Sequence, residues 1–113
     1  TKGCDGKEMT EFGLLKEAGA IAYTDGAKAL TNPQVLRRAL SYGRMFNALV
    51  VQHCEDPDLV GEGVMNEGEF AARLGLHGVP ELAETTILER DLRILAATGG
   101  RYHVALVSCV ASL

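Results

Sequence analysis

A chain of 113 residues with a formal net charge of −4 has room for one domain at most. With 47% of its residues hydrophobic and no charge block or low-complexity tract, it can bury a core and is not a disordered tail. The mild acidity argues against a nucleic-acid partner or a polybasic membrane role, and no apolar run approaches a membrane span or a signal peptide.

In chain order the pattern repeats as helix followed by short apolar strand. Glu8 to Ala18 reads as a helix, with Met9, Phe12 and Leu15 on one face and Gly19 as its stop. Ala20 to Thr24 is a short apolar strand closed by Asp25-Gly26. Thr31-Asn32-Pro33 starts the next helix with a capping residue and a proline in the first turn; Val35, Leu36, Ala39 and Leu40 form its buried stripe, which fades near Asn47. Ala48 to Gln52 is a second strand, followed by a polar loop from Glu55 to Asn66. Glu67 to Leu74 is a short helix stopped by Gly75. Pro80 to Thr98 is a long helix with Leu88, Leu92, Leu95 and Ala96 on its apolar side. Gly99-Gly100 closes it, and Tyr102 to Val107 is the third strand.

Strands separated by helices imply βαβ crossovers and a parallel sheet, and strands that are nearly all apolar rather than alternating suit a sheet covered on both faces. Three strands alone leave two unpaired edges. A larger sheet or barrel solves that problem, and a small free-standing three-layer domain is the competing solution. A first residue that is not methionine, and a last residue just after an apolar run, lead us to expect a piece of a longer chain.

Asp25 and His53 each follow a strand directly, at the edge where parallel α/β sheets and barrels build their sites. A carboxylate and an imidazole there could share a divalent metal; equally, Asp25 could simply shape an Asp-Gly turn and His53 simply end a strand. Glu55 and Asp56 could orient the imidazole or form a solvated acidic loop before Pro57. Cys54 adjoins His53, but neighbours on a strand point to opposite faces, which speaks against a Cys-His nucleophile. His103 reads as a packed strand residue, His77 as a surface loop residue, and Ser108 has no base near it in sequence. Asp5-Gly6 and Gly61-Glu62-Gly63 lack the strand–glycine–helix context of a phosphate loop. The cysteines, Cys4, Cys54 and Cys109, are widely spaced, odd in number and without a Cys-x-x-Cys pair; reduced thiols in a cytoplasmic protein are expected rather than a zinc knuckle.

Several stretches carry a family resemblance. Thr1-Lys2-Gly3 followed by GLLKEAG and AIAYTDG resembles the third-to-fourth strand region of bacterial dihydroorotases, which are cyclic amidohydrolases. VVQHCED resembles their fifth-strand segment, GEGVMNEGEFAARLGLHGVPELAE the loop and helix after it, and ETTILERDLRILAATGGRYHVALVSC the next helix and sixth strand. The match runs in order over essentially the whole chain; HCED with the N-E-G segment at this spacing is its most specific part.

The resemblance implies an α/β fold made of consecutive βα units of a (β/α)8 barrel, about strands 4 to 6, with residues 1–113 an internal part of one barrel domain. It implies reversible hydrolysis of dihydroorotate to N-carbamoyl-L-aspartate in pyrimidine biosynthesis, on a small-molecule substrate, with one or two zinc ions. His53 matches the fifth-strand histidine ligand. Asp25 matches the aspartate that bridges two metals in one branch, although that branch often reads Asp-Asp-Gly where this chain has only Asp25-Gly26.

Leu106 stands where the family has a second-metal histidine before Val-Ser-Thr, and a leucine has no lone pair to offer. Strand alternation would point His103 at the helices, away from such a metal. The family's first-strand His-x-His pair, substrate arginine and asparagine, and general-base aspartate match nothing here. No catalytic residue is therefore expected in this piece, which by itself should be inactive. The alternatives are a non-catalytic dihydroorotase-like partner of aspartate carbamoyltransferase, or an amidohydrolase for another cyclic amide; a homo-oligomer fits either.

Overall fold

The computed structural model describes residues 1–113. After a 3-10 turn at Lys2–Cys4, the elements are α1 (Phe12–Glu17), α2 (Pro33–Arg44), β1 (Leu49–His53), α3 (Pro57–Val60), β2 (Met65–Asn66), α4 (Glu69–Leu74), β3 (Gly78–Val79), α5 (Leu82–Thr98) and β4 (Arg101–Ala105), with a last 3-10 turn at Val110–Ser112. Two parallel pairs form, β1 with β4 and β2 with β3. In the larger pair, Leu49 stands beside Arg101, Val51 beside His103 and His53 beside Ala105.

Helix α2 begins as its sequence dictates. The Asn32 side chain accepts hydrogen bonds from the backbone N–H groups of Gln34 (3.0 Å) and Val35 (3.3 Å), and Pro33 occupies the first turn, where no N–H is needed. Its buried residues are Val35, Leu36, Ala39, Leu40 and Gly43, with Leu36 at 0% and Leu40 at 1% exposure. They pack with Phe12, Leu30, Ala48 and Val50 to form the main core. A smaller cluster joins Cys54 on β1 to Ile87 and Leu88 on α5. Two helices end at the glycines expected to stop them, the long α5 at a left-handed Gly99 (φ 70°) and the short α4 at a left-handed Gly75 (φ 67°).

Four expectations need correction. The strand predicted at Ala20 to Thr24 reduces to one parallel bridge, Tyr23 beside Val50, made by Tyr23 N–H to Leu49 O and Val51 N–H to Tyr23 O at 2.9 Å each. Tyr23 is held because its ring stacks on Phe12 (centroids 4.2 Å apart) and its hydroxyl donates to Phe12 O, whereas Ile21 is 89% exposed and has nothing to pack on. The helix predicted from Glu8 starts only at Phe12. The polar loop after β1 contains α3, capped by Asp56, and β2; Gly63 and Gly78 allow the close approach that pairs β2 with β3, since a Cβ on Gly78 would lie 2.5 Å from Glu67 Cα. Finally, the buried face of α5 is Ala83, Glu84, Ile87, Leu88 and Asp91, while Leu92 is 48% exposed and Ala96 is exposed. The stripe is rotated because two acidic side chains find partners inside.

Candidate functional site

Side chains alternate across β1 and β4, and the burial pattern says which way. Val50, Gln52 and Cys54 are buried toward the helices, and the half-buried Tyr102 and Val104 pack on the core clusters from the same side. Leu49, Val51 and His53, with His103 and Ala105, therefore share the opposite face. This corrects the expected direction of His103: it faces away from the helices, on the same side as His53, and is exposed.

His53 closes β1 with its side chain 20% exposed, and its Nε2 lies 2.5 Å from Glu55 Oε2. Of the two acidic neighbours considered for orienting this imidazole, Glu55 is the one in contact. Asp56 turns away, and its Oδ1 accepts from Asp58 N–H (2.9 Å) and Leu59 N–H (3.2 Å) at the start of α3. Asp25 follows the Tyr23 bridge on the other side of β1. Its carboxylate accepts from the Thr1 amine (2.6 Å) and hydroxyl (2.5 Å), and it lines a cavity of about 310 Å³ with Tyr23, Leu30, Val51 and Gln52. His53 does not line that cavity. Leu106 lies beyond the end of β4, in the left-handed region (φ 59°) and 78% exposed. The exposed His77 lies in the loop before β3.

Carboxylate oxygen and imidazole nitrogen are the donor types that a zinc-class divalent ion takes, so Asp25 and His53 fit such an ion in kind. They do not complete its shell: the structure gathers no group of three or more His, Cys, Asp or Glu side chains able to hold a metal.

Beneath the sheet is a polar network that hydropathy alone does not reveal. Asp91 is fully buried; its Oδ2 accepts from Gln52 Nε2 (3.0 Å) and the Tyr102 hydroxyl (2.7 Å), and its Oδ1 from Arg90 Nε and Nη2 (2.9 and 2.6 Å). Arg90 also donates to Leu30 O and Thr31 O, and Gln52 Oε1 accepts from Leu30 N–H. The network thus joins α5, both long strands and the loop between Asp25 and α2. The Tyr102 hydroxyl lies 3.2 Å from Cys54 Sγ. Burial pushes the Cys54 thiol up to about 11, against the opposing pull of the Tyr102 hydrogen bond. A thiol held protonated is a poor nucleophile. At pH 8, iodoacetamide is expected to modify exposed Cys4 quickly and to leave Cys54 untouched; equal rates by peptide mass mapping would contradict this burial.

Ser108 has a partner that its sequence neighbourhood does not reveal. Its N–H donates to Glu84 Oε1 and Oε2 (3.2 and 3.0 Å), its hydroxyl donates to the same carboxylate, and Cys109 Sγ lies 3.5 Å away. Without an imidazole this is no nucleophile; it is an anchor for the segment after β4. Burial alone would raise the Glu84 carboxyl, but the hydrogen bonds from Ser108, Ser112 and Cys109 outweigh it and hold the group below its ordinary value of 4.5. A depressed carboxyl contributes stability above the unfolded value and loses it as pH falls through the folded value. The stability difference between wild type and Glu84→Gln is therefore expected to be present at pH 7 and to shrink below pH 4.5; a difference that stays constant with pH would contradict the hydrogen-bonded carboxylate.

Parallel strands joined through a helical crossover, with a histidine at the C-terminal end of one strand and an aspartate on the neighbouring segment, define an α/β protein that presents polar side chains at its strand ends. The sequence model of the dihydro-orotase-like family matches residues 1–112, and the chain belongs to that family. It is 42% identical over 113 residues to a dihydroorotase of Caldanaerobacter subterraneus subsp. tengcongensis, covering all of this chain and 26% of that protein. It is 41% identical over 113 residues to one from Desulfotalea psychrophila, covering 27% of it, and 45% identical over 108 residues to one from Anaeromyxobacter dehalogenans, covering 25% of it. The chain spans about a quarter of the length of these curated relatives. No helix is long and apolar enough to cross a membrane.

Proposed function

We propose that this chain is part of a metal-dependent dihydroorotase that reversibly hydrolyses dihydroorotate to N-carbamoyl-L-aspartate in cytoplasmic pyrimidine biosynthesis. The observation that carries the reading is the end-to-end match to dihydroorotases at 41–45% identity. In this reading the Tyr23 segment, β1 and β4 are about strands 4, 5 and 6 of a (β/α)8 barrel, and the face bearing His53 and His103 is the barrel interior. The parallel β1–β4 pair with α5 packed on one side supports it.

Asp25 and His53 would hold zinc in the intact protein. When bound, such a metal polarises an amide carbonyl and acidifies water. Within this chain, Glu55 fixes the His53 ring through Nε2, and the Asp91 network under Gln52 fixes the strand end that carries His53. The general base, the substrate-binding residues and the remaining donors belong to the rest of the parent, so the 113-residue piece alone is inactive.

One observation favours a second reading. Leu106 offers no ligand to a second metal, as expected of a non-catalytic dihydroorotase-like partner of aspartate carbamoyltransferase. The full-length parent tests both. Treatment with dipicolinate is expected to abolish dihydroorotate hydrolysis, and zinc is expected to restore it. No hydrolysis of dihydroorotate or of other cyclic amides by the zinc-loaded parent, together with co-elution with aspartate carbamoyltransferase, would replace the enzyme reading with the scaffold.

A further inference from the structure

We propose that Arg90 and Asp91 are positioning residues, which clamp the loop carrying Asp25 onto Gln52, the residue before His53 on β1; their effect on hydrolysis rests on the dihydroorotase reading above. The loop needs such a clamp. From Thr24 to Thr31 no backbone group bonds another backbone group, so neither a helix nor a ladder sets its course. β1 holds its two ends. At one, Tyr23 N–H donates to Leu49 O, and Val51 N–H donates to Tyr23 O. At the other, the Gln52 side chain pairs with Leu30 as a neighbouring strand would: Oε1 accepts from Leu30 N–H (3.1 Å) and Nε2 donates to Leu30 O (3.4 Å). Between these ends, Gly26 N–H turns back to Thr24 Oγ1 and the Asp25 carboxylate bonds Thr1.

Asp91 decides how Gln52 is turned. A carboxylate can only accept, so the Gln52 amide faces it with Nε2 (3.0 Å), and this aims Oε1 at the Leu30 N–H. The Tyr102 hydroxyl donates to the same Oδ2 at 2.7 Å and holds the carboxylate from β4. Arg90 completes the clamp from α5. Its Nε and Nη2 donate to Asp91 Oδ1 (2.9 and 2.6 Å), while Nη2 and Nη1 reach Leu30 O and Thr31 O at 2.6 Å each. One planar guanidinium therefore spans the carboxylate and two successive loop carbonyls. A lysine ammonium, a single point of donation, cannot.

Asp91 is fully buried and Gln52 and Leu30 are buried with it, so this half of the clamp closes where solvent does not compete. Thr24, Asp25, Leu30, Val51 and Gln52 all line the cavity of about 310 Å³, whereas Arg90 and Asp91 do not. The pair acts on that wall only through Gln52 and the loop backbone.

The test uses the full-length parent and its Arg90→Lys form, followed by steady-state hydrolysis of dihydroorotate and by hydrogen–deuterium exchange. The Leu30 amide, bonded to Gln52, is the reporter. In Arg90→Lys it is expected to exchange at least about fivefold faster, the scale of one hydrogen bond, while the amides of β1 and α2 keep their rates. The kcat is expected to fall at least about tenfold with KM changed less, as a small displacement of a positioned group does. An unchanged Leu30 rate overturns the clamp, and a freed Leu30 with unchanged kcat overturns its role in the reaction. Faster exchange throughout β1 and α2 means general destabilisation and overturns that role too. Should Arg90→Lys fail to fold by circular dichroism, Gln52→Met decides. It removes both bonds to Leu30 with little change of volume, and an unchanged kcat there overturns the proposal. A wild-type parent that does not hydrolyse dihydroorotate overturns the dihydroorotase reading instead, and the Leu30 exchange rate then still decides the clamp.

Discussion

Asp91→Ala is expected to destabilise the protein by about 3–5 kcal/mol, the cost of breaking a buried ion pair from one side. The carboxylate is fully buried and takes four hydrogen bonds, from Gln52, Tyr102 and twice from Arg90. Alanine removes the acceptors, leaves the buried Gln52 amide and the Tyr102 hydroxyl without this partner, and strands the Arg90 guanidinium, whose side chain is 23% exposed. The Gln52 amide keeps only its contacts to Leu30, and the Arg90 guanidinium keeps only the carbonyls of Leu30 and Thr31. Tyr102→Phe provides the graded comparison. It deletes one donor to the carboxylate and the contact to Cys54 Sγ, and leaves Gln52 and Arg90 paired with Asp91, so a loss of about 1 kcal/mol is expected. Urea denaturation measures both. An Asp91→Ala variant within about 0.5 kcal/mol of wild type would mean that the network does not form.

Leu36→Ala should cost about 2–5 kcal/mol, and Leu92→Ala about 0.5 kcal/mol or less. Both are leucines on long helices, and periodicity assigns both to buried stripes. Leu36 is wholly enclosed by the main core, so truncation leaves a cavity among Phe12, Leu40, Val50 and their neighbours. Leu92 is 48% exposed and lies one position beyond the buried Asp91. Equal losses at the two positions, read from the shift in urea midpoint, would show that the rotation of α5 is wrong. The comparison isolates one structural claim, because the chemistry deleted is the same.

The legible parts of this fold were those specified locally. Asn32-Pro33 announces α2 because a cap and a proline act within one turn, and Gly75 and Gly99 announce helix ends because the left-handed conformation there needs no partner. β1 and β4 were readable as apolar runs, displaced by one or two residues at their ends. The segment from Ala20 to Thr24 has the same composition yet makes only the Tyr23 bridge, because a strand is completed by its neighbours and not by its own residues. β2 and β3 are two residues each and carry no periodicity to find.

The candidate site divides in the same way. Asp25 and His53 could be named because each directly follows an apolar run, and Glu55 because it lies two residues from His53. Glu84 with Ser108, and Asp91 with Gln52 and Tyr102, could not, since their partners are brought together only by the packing of α5 on the sheet. The amino-acid sequence by itself determined the alternation of helices with the apolar strands β1 and β4, the family, and the strand-end position of His53. Only the tertiary structure decided which face of α5 is buried and which way His103 points. Sheet direction is set by which alternate residues find partners: Asp91 and Cys54 draw Gln52 and Tyr102 inward, and His103 is thereby turned to the side of His53.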